Sequence, residues 1–235
     1  MSPIFQQSAT RDPPRARIGM RAGAIATWIT LSCFCAAPYC VASDLSIEVF
    51  DRNGHSVDQA MVEVVPASGS PAPVPKPAVM DQKDKAFTPE VLAVSVGSSV
   101  DFPNNDSVSH QVYSFSAAKR FQLPLYKGQL HPPVIFDTPG LVVLGCNIHD
   151  SMVGYIYVTA APFFGTTDAH GVLALKDLPK GDYRITLLSP YITDDASSLT
   201  RSVHIEADSN AERFQLKLPL RTRPEPRPRR RDWDY

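Results

Sequence analysis

Apolar and polar residues alternate in short runs along most of the chain after residue 43. Alternation over four to eight residues, bounded by turn residues, is typical of a half-buried β-strand. No segment of this region keeps the 3.6-residue apolar period of a helix over three turns. The sequence therefore predicts an all-β chain of short strands, arranged as β-sandwiches or barrels. The predicted strands cover residues 45–50, 61–65, 91–96, 99–102, 111–115, 134–136, 141–144, 154–158, 172–175, 183–187, 201–205 and 213–218.

The N-terminal segment, residues 1–42, has a different pattern, with arginines ahead of an uncharged stretch that begins at Ala22. The apolar part of this stretch ends at Ala37, which makes it short for a bilayer span. Small residues precede Ser43. The segment therefore predicts a secretory signal peptide cleaved near Ala42, and hence a periplasmic protein. An uncleaved membrane anchor is the alternative.

Cleavage changes the meaning of the cysteine count. Three of the four cysteines, Cys33, Cys35 and Cys40, lie in the predicted signal peptide, which leaves Cys146 as the only cysteine of the mature chain. A single thiol in an oxidising compartment has no internal disulfide partner, so we expect it to be buried or bound to something.

Composition narrows the functional classes. A hydrophobic fraction of 43% with 20% charged residues excludes a disordered chain, and a net charge of −1 gives no indication of nucleic-acid binding. The C-terminal segment, residues 220–235, contains six arginines and three acidic residues with little to bury, which predicts a disordered tail. Its basic charge is opposite to that of the body. A solvated extension, self-association and contact with an anionic partner such as a membrane surface are all compatible with this charge.

Four side chains with metal-binding chemistry lie at the ends of predicted strands. Cys146, His149 and Met152 share one short loop between two strands, and His110 follows a strand 36 residues before Cys146. One thiolate, two imidazoles and one thioether form the ligand set of a type 1 copper site, because soft sulfur suits Cu(I) and imidazole suits both oxidation states. This pattern predicts one bound copper ion and electron transfer.

Other interpretations of the same residues remain open. Cys146 alone would suit a small buried core position. A nucleophile–base pair of Cys146 and His149 would need an orienting group and an oxyanion site, neither of which the sequence shows. Zinc is disfavoured because methionine is a poor ligand for it. Of the remaining histidines, His131 is the candidate for a substitute ligand, while His55, His170 and His204 are expected to be solvated or structural.

Residues 78–160 resemble the cupredoxins, the small blue copper proteins. The matching motifs lie at residues 87–89, 94–97, 100–104 and 106–110 and in the loop that begins at Cys146. The resemblance implies a Greek-key cupredoxin β-sandwich over residues 67–161. It also implies that the equatorial ligands are His110, Cys146 and His149 and that the axial ligand is Met152.

A narrower resemblance is to the bacterial methylamine utilization proteins that contain a cupredoxin domain. It is carried by the residues from Met80 to Ser116 and by those from Gly145 to Asp150. This resemblance implies redox partner proteins, such as an amine dehydrogenase or a cytochrome.

The chain departs from the usual cupredoxin pattern at three positions. Gln111 stands where Asn usually follows the first ligand histidine and ties the two ligand loops together. Ile148 replaces a common proline before the second histidine, and Leu144 and Gly145 occupy the positions where an aromatic residue often precedes the cysteine. Such neighbours of the ligands tune a metal site, so we expect these positions to affect the redox potential.

A second module is indicated on both sides of the first. Residues 163–190 resemble the carboxypeptidase regulatory-like, transthyretin-like β-sandwich modules through residues 167–171, residues 178–181 and Tyr183. The usual opening strands of these modules match residues 45–65. The hypothesis is a discontinuous sandwich of residues 44–66 plus 162–219, with the cupredoxin domain inserted between its second and third strands. The sequence shows no catalytic residues there, so we expect a scaffold or a partner-docking surface.

These observations predict a periplasmic type 1 copper protein that carries single electrons between redox partners and is not an enzyme. Its electron port is expected to be the ring edge of His149, in an apolar surface patch with Met152 and Val153. The alternative is copper storage or delivery, or a non-redox binding module of the cell envelope.

Overall fold

The computed structural model describes residues 42–69, 73–128, 131–206 and 208–223. These residues form 17 β-strands and no α-helix, which confirms the predicted all-β class. Accordingly, no helix in the described ranges has the length and apolar character needed to cross a membrane. The predicted signal peptide, except for Ala42, and residues 224–235 of the predicted tail lie outside the described residues.

The strands are short and follow one another closely along the chain. In order, they are β1 (Ala42–Phe50), β2 (Met61–Pro66), β3 (Ala78–Val79), β4 (Asp81–Lys83), β5 (Ala86–Thr88), β6 (Val91–Ser95), β7 (Ser98–Asp101), β8 (Tyr113–Ser116), β9 (Lys119–Gln122), β10 (Val134–Phe136), β11 (Gly140–Gly145), β12 (Val153–Thr159), β13 (Phe163–Thr166), β14 (Val172–Pro179), β15 (Gly181–Leu188), β16 (Thr200–Ile205) and β17 (Ser209–Gln215).

Two sheets are built from the strands at the two ends of the described chain. One has the order β14-β1-β17 and the other the order β13-β2-β15-β16. Strand β1 pairs antiparallel with β14 and parallel with β17, while β2 pairs antiparallel with β13 and β15. The inner faces of these sheets share one core, whose largest fully buried side chains are Leu45, Ile47, Leu178, Ile185, Leu187 and Phe214.

Alternation of side chains explains this core. In β1, Leu45, Ile47 and Val49 are buried, and the residues between them are partly exposed. Successive side chains of a strand point to opposite faces of the sheet, so every second residue faces the core.

The strands between β2 and β13 form a second set. A five-stranded sheet has the order β6-β12-β11-β8-β9, a three-stranded sheet has the order β10-β7-β3, and β4 and β5 form a hairpin. Their core is separate from the first, and its fully buried large side chains are Met80, Phe136, Leu144, Met152 and Ile156. Among the described residues, each strand pair joins two strands of the same set.

A small apolar cluster lies where the two sets meet. Met61 of β2, Val91 of β6 and Tyr157 of β12 are buried against one another. Two polar contacts accompany them: Thr159 Oγ1 donates to Glu63 over 2.5 Å, and the backbone N–H of Val91 donates to the Gln59 side chain. The outer face of β6 and β12 is therefore covered by strand β2 and its neighbours.

The first residues of the predicted tail are anchored at the same junction. The backbone N–H of Arg221 donates to the carbonyl oxygen of Tyr191 over 2.8 Å. The Arg223 guanidinium lies 2.6 Å from Asp58 and 3.1 Å from Glu90. The described chain thus ends on a salt-bridged arginine.

Candidate metal centre

The candidate ligand loop joins β11 to β12 and runs from Cys146 to Met152. Gly145 at the end of β11 pairs with Val153 at the start of β12, so strand pairing holds both ends of the loop. Inside the loop, the backbone N–H of Met152 donates to the His149 carbonyl oxygen over 2.9 Å. Three predicted ligands therefore lie on one short, anchored segment.

His110 approaches this loop from a neighbouring segment. It forms a β-bridge with Tyr126, in which the two backbone N–H groups donate to each other's carbonyl oxygens over 3.0 and 2.9 Å. The buried Asn104 donates from Nδ2 to the carbonyl oxygens of Val108 and Tyr126. These bonds fix the backbone around His110.

Three of the four predicted ligands converge. One ligand atom each from His110, Cys146 and His149 lies within 4.8 Å of the other two. Cys146 Sγ is 4.0 Å from His110 Nδ1, and the two imidazole rings have centroids 5.0 Å apart. Metal bonds to sulfur and nitrogen of about 2.3 and 2.0 Å, as found for zinc, bridge such a separation. In the described part of the chain, this is the one cluster of three or more His, Cys, Asp or Glu side chains with converging ligand atoms.

Burial differs across the cluster. His110 is 0% exposed and Cys146 is 3% exposed, whereas His149 is half-buried and the neighbouring Ile148 is 51% exposed. Cys146 is the free cysteine of the described chain, and it is buried, as expected for a thiol without a disulfide partner. The centre therefore has a closed side toward the core and an open side at His149.

Met152 lies on the closed side. It is 1% exposed and packs in the same core as Cys146. The expectation that Met152 contributes to an apolar surface patch around His149 is wrong, because its side chain is enclosed by the core. The exposed apolar residue beside His149 is Ile148.

The carboxylate of Asp106, which was not among the predicted site residues, forms a hydrogen bond with the His110 ring. Asp106 Oδ2 lies 2.9 Å from His110 Nε2, and the Asp106 side chain is 7% exposed. The hydrogen bond from His110, together with those from the backbone N–H groups of Lys85 and Ser107, holds the pKa of Asp106 well below its usual range. Asp106 is therefore ionised at neutral pH. The sequence feature that could have indicated this contact is the position of Asp106, four residues before His110.

A side-chain hydrogen bond joins the two ligand segments. Asn147 Nδ2 donates to Gln111 Oε1 over 2.5 Å. Cupredoxins usually have asparagine at the position of Gln111. Here the longer Gln111 side chain reaches the other segment, where Asn147, directly after Cys146, supplies the donor. The departure at Gln111 therefore preserves a link between the loops.

An aromatic ring packs over Gly145, the residue directly before the candidate ligand Cys146. A Cβ atom on Gly145 would lie 2.6 Å from Cζ of Tyr113, so the glycine leaves the space that the Tyr113 ring fills. Tyr113 in turn contacts the Phe115 ring at a centroid distance of 5.1 Å, and Phe115 is 73% exposed. Strand β8 thus places an aromatic ring against the residue that precedes Cys146.

His131, the candidate substitute ligand, is not a member of the converging cluster. Its ring packs edge-on against Tyr126, with centroids 5.0 Å apart. Tyr126 Oη donates to the Phe102 carbonyl oxygen and accepts from Gln82 Nε2. Burial raises the pKa of Tyr126 to about 12, so its phenol stays neutral. His131 and Tyr126 therefore pack together, and the backbone of Tyr126 holds the segment that carries His110.

The remaining histidines of the described chain lie away from the cluster. His55 is 3.2 Å from Asp51, and His204 is 2.7 Å from Asp182. His170 is exposed in a turn. All three are solvated, as their positions in the sequence suggested.

Comparison with solved structures gives partial matches to copper proteins. A purple cupredoxin from Nitrosopumilus maritimus is 23% identical, with 35% of this chain and 99% of that chain covered and a TM-score of 0.32. A copper-containing nitrite reductase from Thermus scotoductus SA-01 is 25% identical, with coverages of 41% and 25% and a TM-score of 0.33. An oxidised amicyanin variant is 21% identical, with coverages of 41% and 99% and a TM-score of 0.33. No family model and no curated protein matches the chain.

Proposed function

We propose that this chain binds one copper ion through His110, Cys146 and His149, with Met152 as the axial ligand, and carries single electrons between redox partner proteins in the periplasm. The observation that carries the proposal is the convergence of two imidazoles on a buried thiol within 4.8 Å. Sulfur ligands disfavour the alkaline-earth ions, the thioether of Met152 favours copper over zinc, and imidazole suits both copper oxidation states.

The copper ion supplies a one-electron couple, and the protein supplies a fixed set of ligands. The strand pairing of Gly145 with Val153 and the Asn147–Gln111 hydrogen bond hold the ligand loop. The backbone bridge to Tyr126 holds His110 independently. Ligands held in this way change position little between oxidation states, which favours fast electron exchange over chemistry on a substrate.

We propose the half-buried edge of His149 as the point of electron exchange. It is the most exposed of the three converging ligands, and Ile148 beside it offers 51% of its surface to a partner. An apolar contact around the exposed ligand excludes water and brings a second redox centre close. An amine dehydrogenase or a cytochrome remains the predicted class of partner.

The strand set formed by the two ends of the described chain is proposed to be a discontinuous β-sandwich, residues 44–66 plus 162–219, with the copper domain of residues 67–161 inserted. Support comes from the pairing of β1 with β14 and β17, and of β2 with β13 and β15. Separate cores in the two sets give further support. We propose that this sandwich acts as a scaffold or partner-docking surface.

Voltammetry of the copper-loaded full chain tests the proposed role. We expect a reversible one-electron wave in the wild type and none in Cys146→Ser, with both proteins showing the same β-sheet circular dichroism spectrum. Tight Cu(I) binding without reversible oxidation would contradict electron transfer and would favour copper storage or delivery.

A further inference from the structure

Asp106 is tied into the candidate centre more firmly than a surface carboxylate would be. Besides His110 Nε2, it accepts hydrogen bonds from the backbone N–H of Lys85 over 2.7 Å and from the backbone N–H of Ser107 over 2.6 Å. The Ser107 hydroxyl lies 3.2 Å away. The backbone N–H of Asp106 donates to Asn104 Oδ1 over 3.0 Å. The carboxylate is therefore fixed in position and is largely shielded from water.

One of these donors comes from an unusual turn. Lys85 and the preceding Asp84 join β4 to β5, and both have positive φ angles, 58° and 52°. Two successive positive φ angles are typical of a type I′ hairpin turn, which usually contains Asn or Gly. Aspartate tolerates this conformation, whereas the lysine at position 85 carries a backbone cost. The turn aims the Lys85 N–H at the Asp106 carboxylate.

The hydrogen bond to Asp106 decides which imidazole nitrogen faces the cluster. Because Asp106 accepts from Nε2, the Nε2 atom carries a proton, so in the neutral ring Nδ1 presents its lone pair toward Cys146, 4.0 Å away. A carboxylate behind a ligand histidine fixes the tautomer and ring orientation and makes the imidazole a stronger donor.

Charge gives a second consequence. An extra negative charge close to a metal ion stabilises the more highly charged oxidation state more strongly, and low exposure weakens the screening of that interaction. We propose that Asp106 is the positioning residue that orients His110 and sets the preference of the centre for Cu(II) over Cu(I). The second half of this inference rests on the proposed copper function, whereas the orientation of His110 does not.

The main experiment compares Asp106→Asn with the wild type in the full chain. In the copper-loaded proteins, we expect the ratio of Cu(II) to Cu(I) affinity to fall about tenfold, since removal of such partners typically changes metal affinity 10–100-fold. In voltammetry, a tenfold fall in this ratio raises the reduction potential of a one-electron couple by about 59 mV. Asp137→Asn removes an equal charge from an exposed position paired with Lys119 and should change the ratio less than twofold.

The metal-free proteins give an independent readout. Nitrogen NMR of the His110 ring, at a pH where the ring is neutral, should show the Nε2–H form in the wild type and a mixture of the two neutral forms in Asp106→Asn. If Asp106→Asn fails to fold, the pair Asp106→Glu and Asp106→Gln replaces it, because these side chains match in size and differ in charge. Only the glutamate should restore the wild-type tautomer and an affinity ratio near that of the wild type.

The possible outcomes separate the two proposals. A wild type that takes up no copper would refute the copper function, and the metal-free spectra would still decide whether Asp106 orients His110. A blue wild type whose affinity ratio and His110 tautomer are the same in Asp106→Asn would overturn the inference and leave the copper function standing.

Discussion

Met152 closes the ligand loop from within the core, where it is 1% exposed. We expect Met152→Leu to keep the colour of the copper protein and to raise its reduction potential, because a weak donor to Cu(II) is lost. The exchange conserves volume, so it should cost less than about 1.5 kcal/mol of stability. Voltammetry and denaturant unfolding measure the two effects.

Met80→Leu is the matched control for this prediction. Met80 is a buried methionine of the same core and is not a predicted ligand. Its exchange should leave the potential unchanged. Equal potentials in Met152→Leu and the wild type would argue against axial ligation by Met152.

Gly154 lies where β12 passes close to β5. A Cβ atom there would be 2.9 Å from both Cβ and Cδ2 of Phe87, a side chain that is only 2% exposed. Since neither backbone can move freely, Gly154→Ala should lower the free energy of unfolding by about 1–3 kcal/mol. Urea unfolding of the metal-free protein measures the loss.

Gly145→Ala provides the comparison. Its added methyl group meets the outer end of the partly exposed Tyr113 ring, which can swing away. We therefore expect a smaller loss than for Gly154→Ala. The reverse order of the two losses would contradict the packing described for β12.

At this scale, the sequence identified the three side chains that converge but not the residues that hold them in place. Cys146, His149 and Met152 share one loop, so their spacing alone placed them together. The contacts of Asp106 with Lys85 and of Gln111 with Asn147 join segments that are distant in sequence. Such contacts depend on how the strands pack, which local patterns do not encode.

At the scale of elements, several strands that contain β-branched or aromatic residues were predicted well. Residues 154–158 correspond to β12 (Val153–Thr159), and residues 201–205 correspond to β16 (Thr200–Ile205). Strand β9 was missed because its residues Lys119–Gln122 are mostly polar, and its place is set by pairing with β8. Residues 213–218 were placed too late in the chain for β17 (Ser209–Gln215), because that strand begins with polar residues beside β1.

A cross-strand pair on β15 and β16 gives a pH dependence. The hydrogen bond from His204 to Asp182 raises the pKa of His204 above 6.5, its ordinary value. The stabilisation is therefore fully present below the unfolded-state pKa and is lost as the pH rises through the higher folded-state pKa.

Proton NMR of the His204 ring should show a titration midpoint above 6.5, and Asp182→Asn should return it to about 6.5. His55→Gln is a control that alters another exposed histidine, and it should leave the His204 midpoint in place. A midpoint at or below 6.5 in the wild type would contradict the pairing.

At the scale of the whole molecule, the strand pairing could be expected only in outline. The hypothesis of an inserted segment came from a resemblance to regulatory-like β-sandwich modules, and it stays a proposal. In the structure, β1 pairs with β14 and β17. The contact of Met61 with Tyr157 at the junction was not predicted. Both residues lie in ordinary strand patterns, and only the packed sheets bring them together.

At the same junction, Arg223 forms salt bridges with Asp58, which precedes β2, and with Glu90, which precedes β6. The Arg223 side chain is 43% exposed, so Arg223→Ala should lower the free energy of unfolding by no more than about 1 kcal/mol. The loss should shrink in 1 M salt, where charges are screened within about 3 Å. Urea unfolding at low and high salt measures both effects.

Arg221→Ala is the control, because the hydrogen bond of Arg221 to Tyr191 is made by its backbone. It should have little effect at either salt concentration. A loss in Arg223→Ala that is independent of salt would show that packing on the Tyr191 ring, 5.3 Å from the guanidinium carbon, outweighs the ion pairs.

The most direct test of the central claim is a titration of the metal-free chain with Cu(II), followed by visible absorption. An intense thiolate-to-Cu(II) band should grow in proportion to added copper and stop at one equivalent per chain. Cys146→Ser should show no such band. A colourless, well-folded wild type, or the same band in Cys146→Ser, would contradict a copper centre built on Cys146.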